Sequence, residues 1–244
     1  MKLAHLAGIL ALVGGVQLVF GQSDSFFFSQ STFTYTLDPD VTAAFDFVDS
    51  GPYQNFLTEA TGDGVNPIDM YTQSQLFDVT GAPNGGINQA ASESTAFVNG
   101  MATQFQGIHY FVNFTNNSQT TAENLSFTEV VNEVLTAAGN AQTYAYGGWQ
   151  ADGFAEYGFF TNSLDGSGNR MPDWEGGFTG NPTGPNSYQG SDTVTLSLAP
   201  GQTSDVEFWA SGSTYAAAVP EPASLLSLGG LLLVGLRKRA KKTS

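Results

Sequence analysis

Pairs of acidic residues at short spacing are the first candidates for catalytic chemistry in this sequence. Asp152 and Glu156 are four positions apart, and so are Glu129 and Glu133. Two carboxyl groups on either side of a glycosidic bond act as general acid and as base or nucleophile in glycoside hydrolases. Because the chain contains 22 acidic residues, such pairs also arise by chance, and we predict that the protein is not an enzyme.

An oxygen-rich stretch that begins at Asp165 is a candidate calcium site. Asp165, Asn169 and Asp173 would be the ligands, because Ca²⁺ binds carboxylate and carbonyl oxygens at alternating positions of a loop. The stretch departs from a calcium loop at two positions, where Arg170 replaces the turn glycine and Gly176 replaces the bidentate glutamate. A solvated turn explains the same residues. Calcium is therefore the one candidate cofactor, beside the alternative that the protein binds none.

Aromatic residues form the third group that could bind a ligand. Trp174 lies between Asp173 and Glu175 in a Gly-rich stretch, so we predict an exposed side chain that stacks on a sugar. Most other aromatic residues alternate along predicted strands, which assigns them to the core. Those considered for sugar binding are Trp149, Trp209, Tyr144, Tyr146, Tyr157 and Tyr188.

The N-terminus has the composition of a secretory signal peptide over residues 1–21. Lys2 supplies a positive charge, residues 3–20 are nearly all apolar, and compact residues precede a predicted cleavage between Gly21 and Gln22. An uncleaved N-terminal anchor is the alternative. Residues 22–218 then form the exported domain.

Residues 219–244 combine a proline motif, an apolar run over 223–236 and a basic cluster. A helix over the apolar run would be about 21 Å long, which is short of a hydrocarbon core of about 30 Å. The cations that follow are expected to stay cytoplasmic, which places the exported domain on the outer side of the membrane. The motif is Val219, Pro220, Glu221 and Pro222, and the cluster is Arg237, Lys238, Arg239, Lys241 and Lys242.

This C-terminal arrangement resembles the PEP-CTERM sorting signal of Gram-negative bacteria. The resemblance covers about a tenth of the chain and rests on the three features in their order. It implies that an exosortase-type transpeptidase recognises the segment while its short helix crosses the inner membrane. It also implies cleavage near the motif, and release or re-anchoring of the domain at the cell surface or in the extracellular matrix of a biofilm.

Charge and residue types exclude several functions of the exported domain. Arg170 is its only Lys or Arg, against 21 acidic residues, so no cluster of cations is available for nucleic acid. His109 is its only histidine, and a lone strand histidine predicts a structural role. The chain has no cysteine, which excludes thiol nucleophiles and disulfides.

The composition predicts an all-β fold for the exported domain. Low charge, many Gly, Ser, Thr and Asn, and short alternating segments favour an antiparallel β-sandwich, Ig-like or jelly-roll-like, with long Gly/Asn-rich loops. The clearest strand is 107–115, where Tyr110 and Phe114 share one face and His109 lies on the other.

Other segments carry weaker or more specific predictions. Residues 50–96 are predicted to be rich in loops, and 162–189 to form one long Gly/Asn/Pro loop. Residues 125–136 have features of both helix and strand, and their β-branched content favours a strand. Residues 193–198 and 205–210 are predicted to pair as a hairpin.

Three functions remain as hypotheses. The first is a non-enzymatic surface or matrix protein, sorted by the exosortase and placed near exopolysaccharide. The second is a carbohydrate-binding module that uses Trp174, with or without calcium. The third is a glycoside hydrolase, which the lack of histidine partners disfavours.

Overall fold

The computed structural model describes residues 22–49, 59–78, 83–97, 100–154 and 156–218. Within these residues the chain is all β, with antiparallel strands and no helix. The strands are β1 (Ser23–Leu37), β2 (Val41–Asp49), β3 (Glu59–Thr61), β4 (Val65–Asp78), β5 (Pro83–Ala96), β6 (Met101–Asn116), β7 (Glu123–Ala138), β8 (Asn140–Ala151), β9 (Glu156–Asp165), β10 (Arg170–Glu175), β11 (Thr179–Gly184), β12 (Ser187–Leu198) and β13 (Thr203–Ala217).

The strands form two sheets that face each other in a sandwich-like arrangement. Sheet A has the order β11-β12-β7-β1-β5-β4. Sheet B has the order β10-β9-β8-β13-β6-β2, and β3 pairs with β6 outside this path. Alternate residues of each strand point to opposite faces, so each sheet has an inner and an outer face.

The inner faces meet in an aromatic and aliphatic core. Phe33 of β1 stacks on Phe208 of β13, with ring centroids 4.2 Å apart and the ring planes 3° from parallel. Phe127 of β7 meets the same Phe208 ring edge-on at 5.3 Å. These side chains are almost fully buried, so they join sheet A to sheet B.

Polar side chains also connect the two sheets. Ser29 of β1 donates a hydrogen bond to the Tyr146 carbonyl of β8, and Asn88 of β5 donates one to the Phe208 carbonyl of β13. Each bond joins a buried side chain to the backbone of the facing sheet, where an unpaired polar group would be costly. The bonds therefore help to set the position of one sheet on the other.

The predicted all-β antiparallel fold is confirmed for the described residues. The predicted strand 107–115 lies within β6, with Tyr110 and Phe114 buried and His109 on the outer face. Residues 125–136 lie within β7, which confirms the strand rather than the helix.

The prediction of a long loop at 162–189 is wrong. Most of this segment lies in β9, β10, β11 and the start of β12. β10 and β11 each lie at one edge of their sheet. The residues of β11 are largely exposed, so this strand lacks the alternation of a half-buried strand. Pro172 and Pro182 are tolerated there because an edge strand leaves one side unpaired. The loop-rich prediction for 50–96 is likewise wrong over β4 and β5.

The predicted hairpin of 193–198 and 205–210 is also wrong. The turn exists, since the Gln202 N–H donates to the Ala199 carbonyl. However, β12 belongs to sheet A and β13 to sheet B, so the turn carries the chain across the core. Leu196 and Phe208 pack into the same core from opposite sheets. Alternation shows that a strand has a buried face, but it does not show which sheet the strand joins.

The predicted signal peptide (1–21) and sorting segment (219–244) lie outside the described residues. The sorting motif, the basic cluster and the short membrane helix all belong to the second of these segments. Within the part of the chain that the structure describes, no helix has the length and apolar character needed to cross a membrane.

Candidate functional site

The outer face of sheet B carries a groove lined by aromatic side chains. Four neighbouring strands, β9, β8, β13 and β6, form its base, while sheet A packs against their opposite face. The groove has a volume of about 570 Å³, which is within the range of small-molecule sites. We call it the aromatic groove, and its lining residues are Phe105, His109, Tyr146, Gln150, Phe159, Thr161, Glu207 and Trp209.

Small residues at the centre of this face give the groove its depth. Gly107 of β6 lies opposite Ser211 of β13, and Gly148 of β8 lies opposite Trp209. A Cβ atom on Gly107 would be 2.5 Å from Ser211 Oγ, and a Cβ atom on Gly148 would be 2.9 Å from Trp209 Cζ2. The Trp209 ring therefore lies above Gly148, in space that a side chain at position 148 would occupy.

Aromatic rings stand at both ends of this floor of small residues. Phe105 and Tyr146 approach each other across β13, with ring centroids 6.2 Å apart. Toward the other end, the Trp209 ring lies 6.2 Å from the His109 ring, with the two planes 25° apart. All four side chains are only partly buried, because sheet A covers the opposite face. The core does not require aromatic residues at these positions.

Polar groups complete the lining of the aromatic groove. His109 Nδ1 and Glu207 Oε1 are 2.5 Å apart, and their side chains are 14% and 16% exposed. Gln150 lies opposite Glu207 in the register of β8 and β13, and Thr161 lies opposite Tyr146 in the register of β8 and β9. Hydrogen-bond donors and acceptors therefore lie beside the rings.

This combination suits a ligand that has apolar faces and polar edges. Flat rings contribute contact area, and a few polar side chains set the orientation of the ligand. Among the lining residues that the structure describes, Glu207 is the only carboxylate. Hydrolysis of a glycoside uses two carboxyl groups in most families, so the lining supports binding better than this reaction.

Neither of the predicted acidic pairs lines the aromatic groove. Glu129 and Glu133 are fully buried on the inner face of β7, and this burial raises the pKa of both carboxyl groups well above the usual value. Ser31 donates a hydrogen bond to Glu129, whereas the described residues supply no hydrogen bond to either carboxyl oxygen of Glu133. Asp152 and Glu156 are exposed at the turn from β8 to β9.

The predicted calcium ligands are divided between a turn and a strand. Asp165 Oδ1 accepts 2.9 Å hydrogen bonds from the backbone N–H groups of Ser167 and Asn169, and Oδ2 accepts one from Asn169 Nδ2 at 2.8 Å. The bond from the Asn169 side chain is the main reason why the pKa of Asp165 is lowered. Asp173 lies away from this turn, on β10, where it is opposite Thr161 of β9. The described residues contain no group of three or more His, Cys, Asp or Glu side chains able to hold a metal. The calcium site stays a prediction.

The three tryptophans lie in different environments. Trp174 is on β10, and its side chain is outside the described part, so its role in sugar binding stays a prediction. Trp149 is buried in the core, where its Nε1–H donates to Asp192 Oδ2 at 2.9 Å. Trp209, together with Tyr146, lines the aromatic groove.

The remaining candidate tyrosines lie outside the lining of the groove. Tyr144 and Tyr157 are exposed. The Tyr157 hydroxyl donates to Glu175 Oε2 at 2.9 Å, and this bond raises the pKa of Tyr157. The Arg170 guanidinium carbon lies 4.8 Å from the centre of the Tyr188 ring, so that ring is already stacked.

Sequence reasoning missed most of the groove because it assigned alternating aromatic residues to the core. A usable signal was present. In β6, aromatic residues occupy both parities of the strand, so one set has to face away from the core. The lining residues that were not predicted are Phe105, Gln150, Phe159, Thr161 and Glu207.

Comparison of the chain with models of protein families gave no match, and a comparison with curated proteins gave none either.

Proposed function

We propose that the exported domain binds carbohydrate through the aromatic groove and does not catalyse a reaction. The observation that carries this proposal is a set of aromatic rings around a floor of small residues on the outer face of sheet B. Large apolar side chains grouped on a solvent-facing surface are typical of binding sites. Within the described residues, sheet A packs on the opposite face of these strands.

The chemistry of the lining favours a sugar over a purely apolar ligand. A sugar ring has apolar C–H faces that stack on aromatic rings, and its hydroxyl groups hydrogen-bond at the edges. Gln150, Thr161 and the His109–Glu207 pair are placed to bind such hydroxyls. Four strands at a spacing of about 4.8 Å give a groove of roughly 14 Å, which fits a short stretch of a polysaccharide.

Carbohydrate binding would also explain the predicted destination of the protein. We propose that the PEP-CTERM-like segment directs the domain to an exosortase and that the domain is then held in the matrix by exopolysaccharide. A structural protein without ligand is the competing hypothesis. We further propose a jelly-roll-like rather than Ig-like arrangement, because more than half of the connections between successive strands cross between the sheets.

A panel of immobilised polysaccharides tests the binding proposal. The full chain should retain at least one glycan, and Trp209→Ala should weaken that binding by about 30-fold, since truncating a central interface residue costs about 2 kcal/mol. Thr193→Ala is the matched control, because Thr193 is exposed on the outer face of sheet A. Retention of no glycan, or equal binding by Trp209→Ala and the wild type, would contradict the proposal.

Mass spectrometry of the exported protein tests the proposed sorting. We expect a mature form that lacks residues 237–242, because cleavage near the motif removes the basic cluster. A mature form in wild-type cells that retains Arg237 to Lys242 would count against cleavage by an exosortase.

A further inference from the structure

We infer that the aromatic groove selects uncharged polysaccharides and rejects anionic ones, with Glu207 as the residue that determines this specificity. The inference rests on the proposed carbohydrate binding and adds the chemical class of the ligand. It follows from the charges in and around the groove.

The groove offers no cation to an acidic sugar. Arg170 is the only Lys or Arg between residues 22 and 218, and it does not line the groove. Its Nη2 donates to the Pro185 carbonyl at 2.6 Å and to Asn186 Oδ1 at 3.1 Å, and its guanidinium stacks on Tyr188. The arginine is therefore already bound at the edge of the molecule, at the turn between β11 and β12.

His109 does not replace the missing cation. Its Nδ1 is 2.5 Å from Glu207 Oε1, so any positive charge on the imidazole is matched by the carboxylate beside it. The pair is neutral when His109 is protonated and negative when it is not. Asp205, two residues along β13 on the same face, adds a further negative charge.

An anionic polysaccharide would therefore meet repulsion without a compensating ion pair. The exported domain carries 21 acidic residues against one arginine, and like charges brought together without a partner oppose binding. At about 0.1 M salt the repulsion acts over roughly 10 Å, a distance comparable with the width of the groove. A neutral glycan does not experience this repulsion.

Glu207 also gives a neutral sugar a strong hydrogen-bond acceptor. The contact with His109 fixes the position of Glu207 Oε1, and the described residues supply no hydrogen bond to Glu207 Oε2. A carboxylate that is oriented in this way can accept hydrogen bonds from sugar hydroxyls, and such charge-assisted bonds are stronger than neutral ones. Glu207 thus attracts hydroxyl groups and repels carboxylates or sulfates.

The test compares neutral and acidic polysaccharides on the full chain. The neutral probes are cellulose, amylose, mannan, galactan and chitin, and the acidic probes are alginate, polygalacturonate, hyaluronan and carboxymethylcellulose. Binding is measured at 20 mM and 500 mM NaCl, with and without a calcium chelator. We expect a neutral glycan to bind at least tenfold more tightly than every acidic probe at 20 mM NaCl, and to keep its affinity at 500 mM.

The outcomes separate the inference from the proposed function. Preferred binding of an acidic probe, whether direct or dependent on calcium, would overturn the inference and leave carbohydrate binding intact. Binding of no probe in the panel would overturn both.

A pair of charge variants tests the role of Glu207. Glu207→Gln should weaken binding of the neutral glycan by about tenfold, because a neutral amide oxygen replaces the charged acceptor. Asp205→Asn removes the same charge from the same strand and face, outside the lining, and should leave that affinity within about twofold. Equal effects of the two variants would show that Glu207 gives the neutral glycan no more than a carboxylate outside the lining does, and would overturn its assigned role.

Discussion

The core and the aromatic groove are built on opposite faces of the same strands, and both are rich in aromatic residues. In β13, Phe208 points inward and is fully buried, whereas its neighbour Trp209 points outward and is partly exposed. In β6, Tyr110 and His109 are divided in the same way. The aromatic content of a strand therefore does not identify its function, since a shift of one residue exchanges core for surface.

The two regions differ in what covers the rings. Phe208 has one ring of sheet A stacked on it and another packed edge-on, so its loss leaves a cavity in the core. Trp209 has the groove above it and Gly148 below it. We therefore expect changes in the core to affect the free energy of unfolding, and changes in the groove to affect the affinity for the ligand.

The largest effect is expected from Phe208→Ala, which should lower the free energy of unfolding by about 3–5 kcal/mol. Trp209→Ala, one residue further along the strand, should lower it by less than half as much, because the ring is partly exposed. Urea unfolding followed by circular dichroism measures both. Equal destabilisation by the two variants would mean that the outer face is as important for folding as the core.

A methyl group in the floor of the groove should affect both properties. Gly148→Ala places a Cβ 2.4 Å from the Gly158 carbonyl oxygen and 2.9 Å from Trp209 Cζ2, so backbone and ring have to move. We expect a loss of about 1–3 kcal/mol in the free energy of unfolding, together with weaker glycan binding.

Gly107→Ala is the control for this change, because its Cβ would approach a hydroxyl group, Ser211 Oγ, that can rotate away. Thermal melting and affinity electrophoresis compare the two variants. A larger loss in Gly107→Ala than in Gly148→Ala would contradict the assignment of Gly148 as the support of Trp209.

The buried carboxyl groups of the core should make the protein less stable as the pH rises. Burial raises the pKa of Glu129 and Glu133 in the folded state, so the folded protein keeps protons that the unfolded chain releases above about pH 4.5. Stability is then complete at lower pH and falls by up to about 1.4 kcal/mol per pH unit for each group as pH rises toward the folded pKa.

The double variant with Glu129→Gln and Glu133→Gln should flatten this dependence between pH 5 and pH 8. Glu156→Gln, which removes an exposed charge, should keep the wild-type slope. Urea unfolding at several pH values measures the slopes. A slope in the double variant equal to that of the wild type would show that these two groups titrate normally in the folded protein.

The smallest effects are expected from two threonines of neighbouring strands. Thr143 is buried and donates to the Phe26 carbonyl at 3.1 Å, so Thr143→Val should cost about 1 kcal/mol of stability without changing glycan affinity. Thr161 lines the groove, so Thr161→Val should weaken binding two- to tenfold with little change in stability. Calorimetry and thermal melting are the measurements, and an exchange of the two phenotypes would contradict the division between core and groove.

The sequence predicted the strands that have one buried face, and it failed where burial does not alternate. β6 was predicted because apolar residues recur at every second position, and β7 because of its β-branched content. β10 and β11 were missed because they lie at the edges of their sheets. An edge strand is paired on one side only and can be largely exposed, as β11 is, so its sequence need not alternate. Within the groove, Trp209 and Tyr146 were named as sugar-binding candidates, but nothing in their spacing separated them from the buried Trp149.

The sequence by itself determined the class of fold, the strong negative charge and the lack of cysteine and of clustered cations, because these depend on composition and local periodicity. It also predicted the two terminal export segments, whose features are continuous in the chain. Only the tertiary structure decided that Phe105, Tyr146, Phe159 and Trp209 share one groove. These residues come from four strands, of which only β8 and β9 follow each other in the chain. Their meeting depends on strand order and register, which local periodicity does not contain.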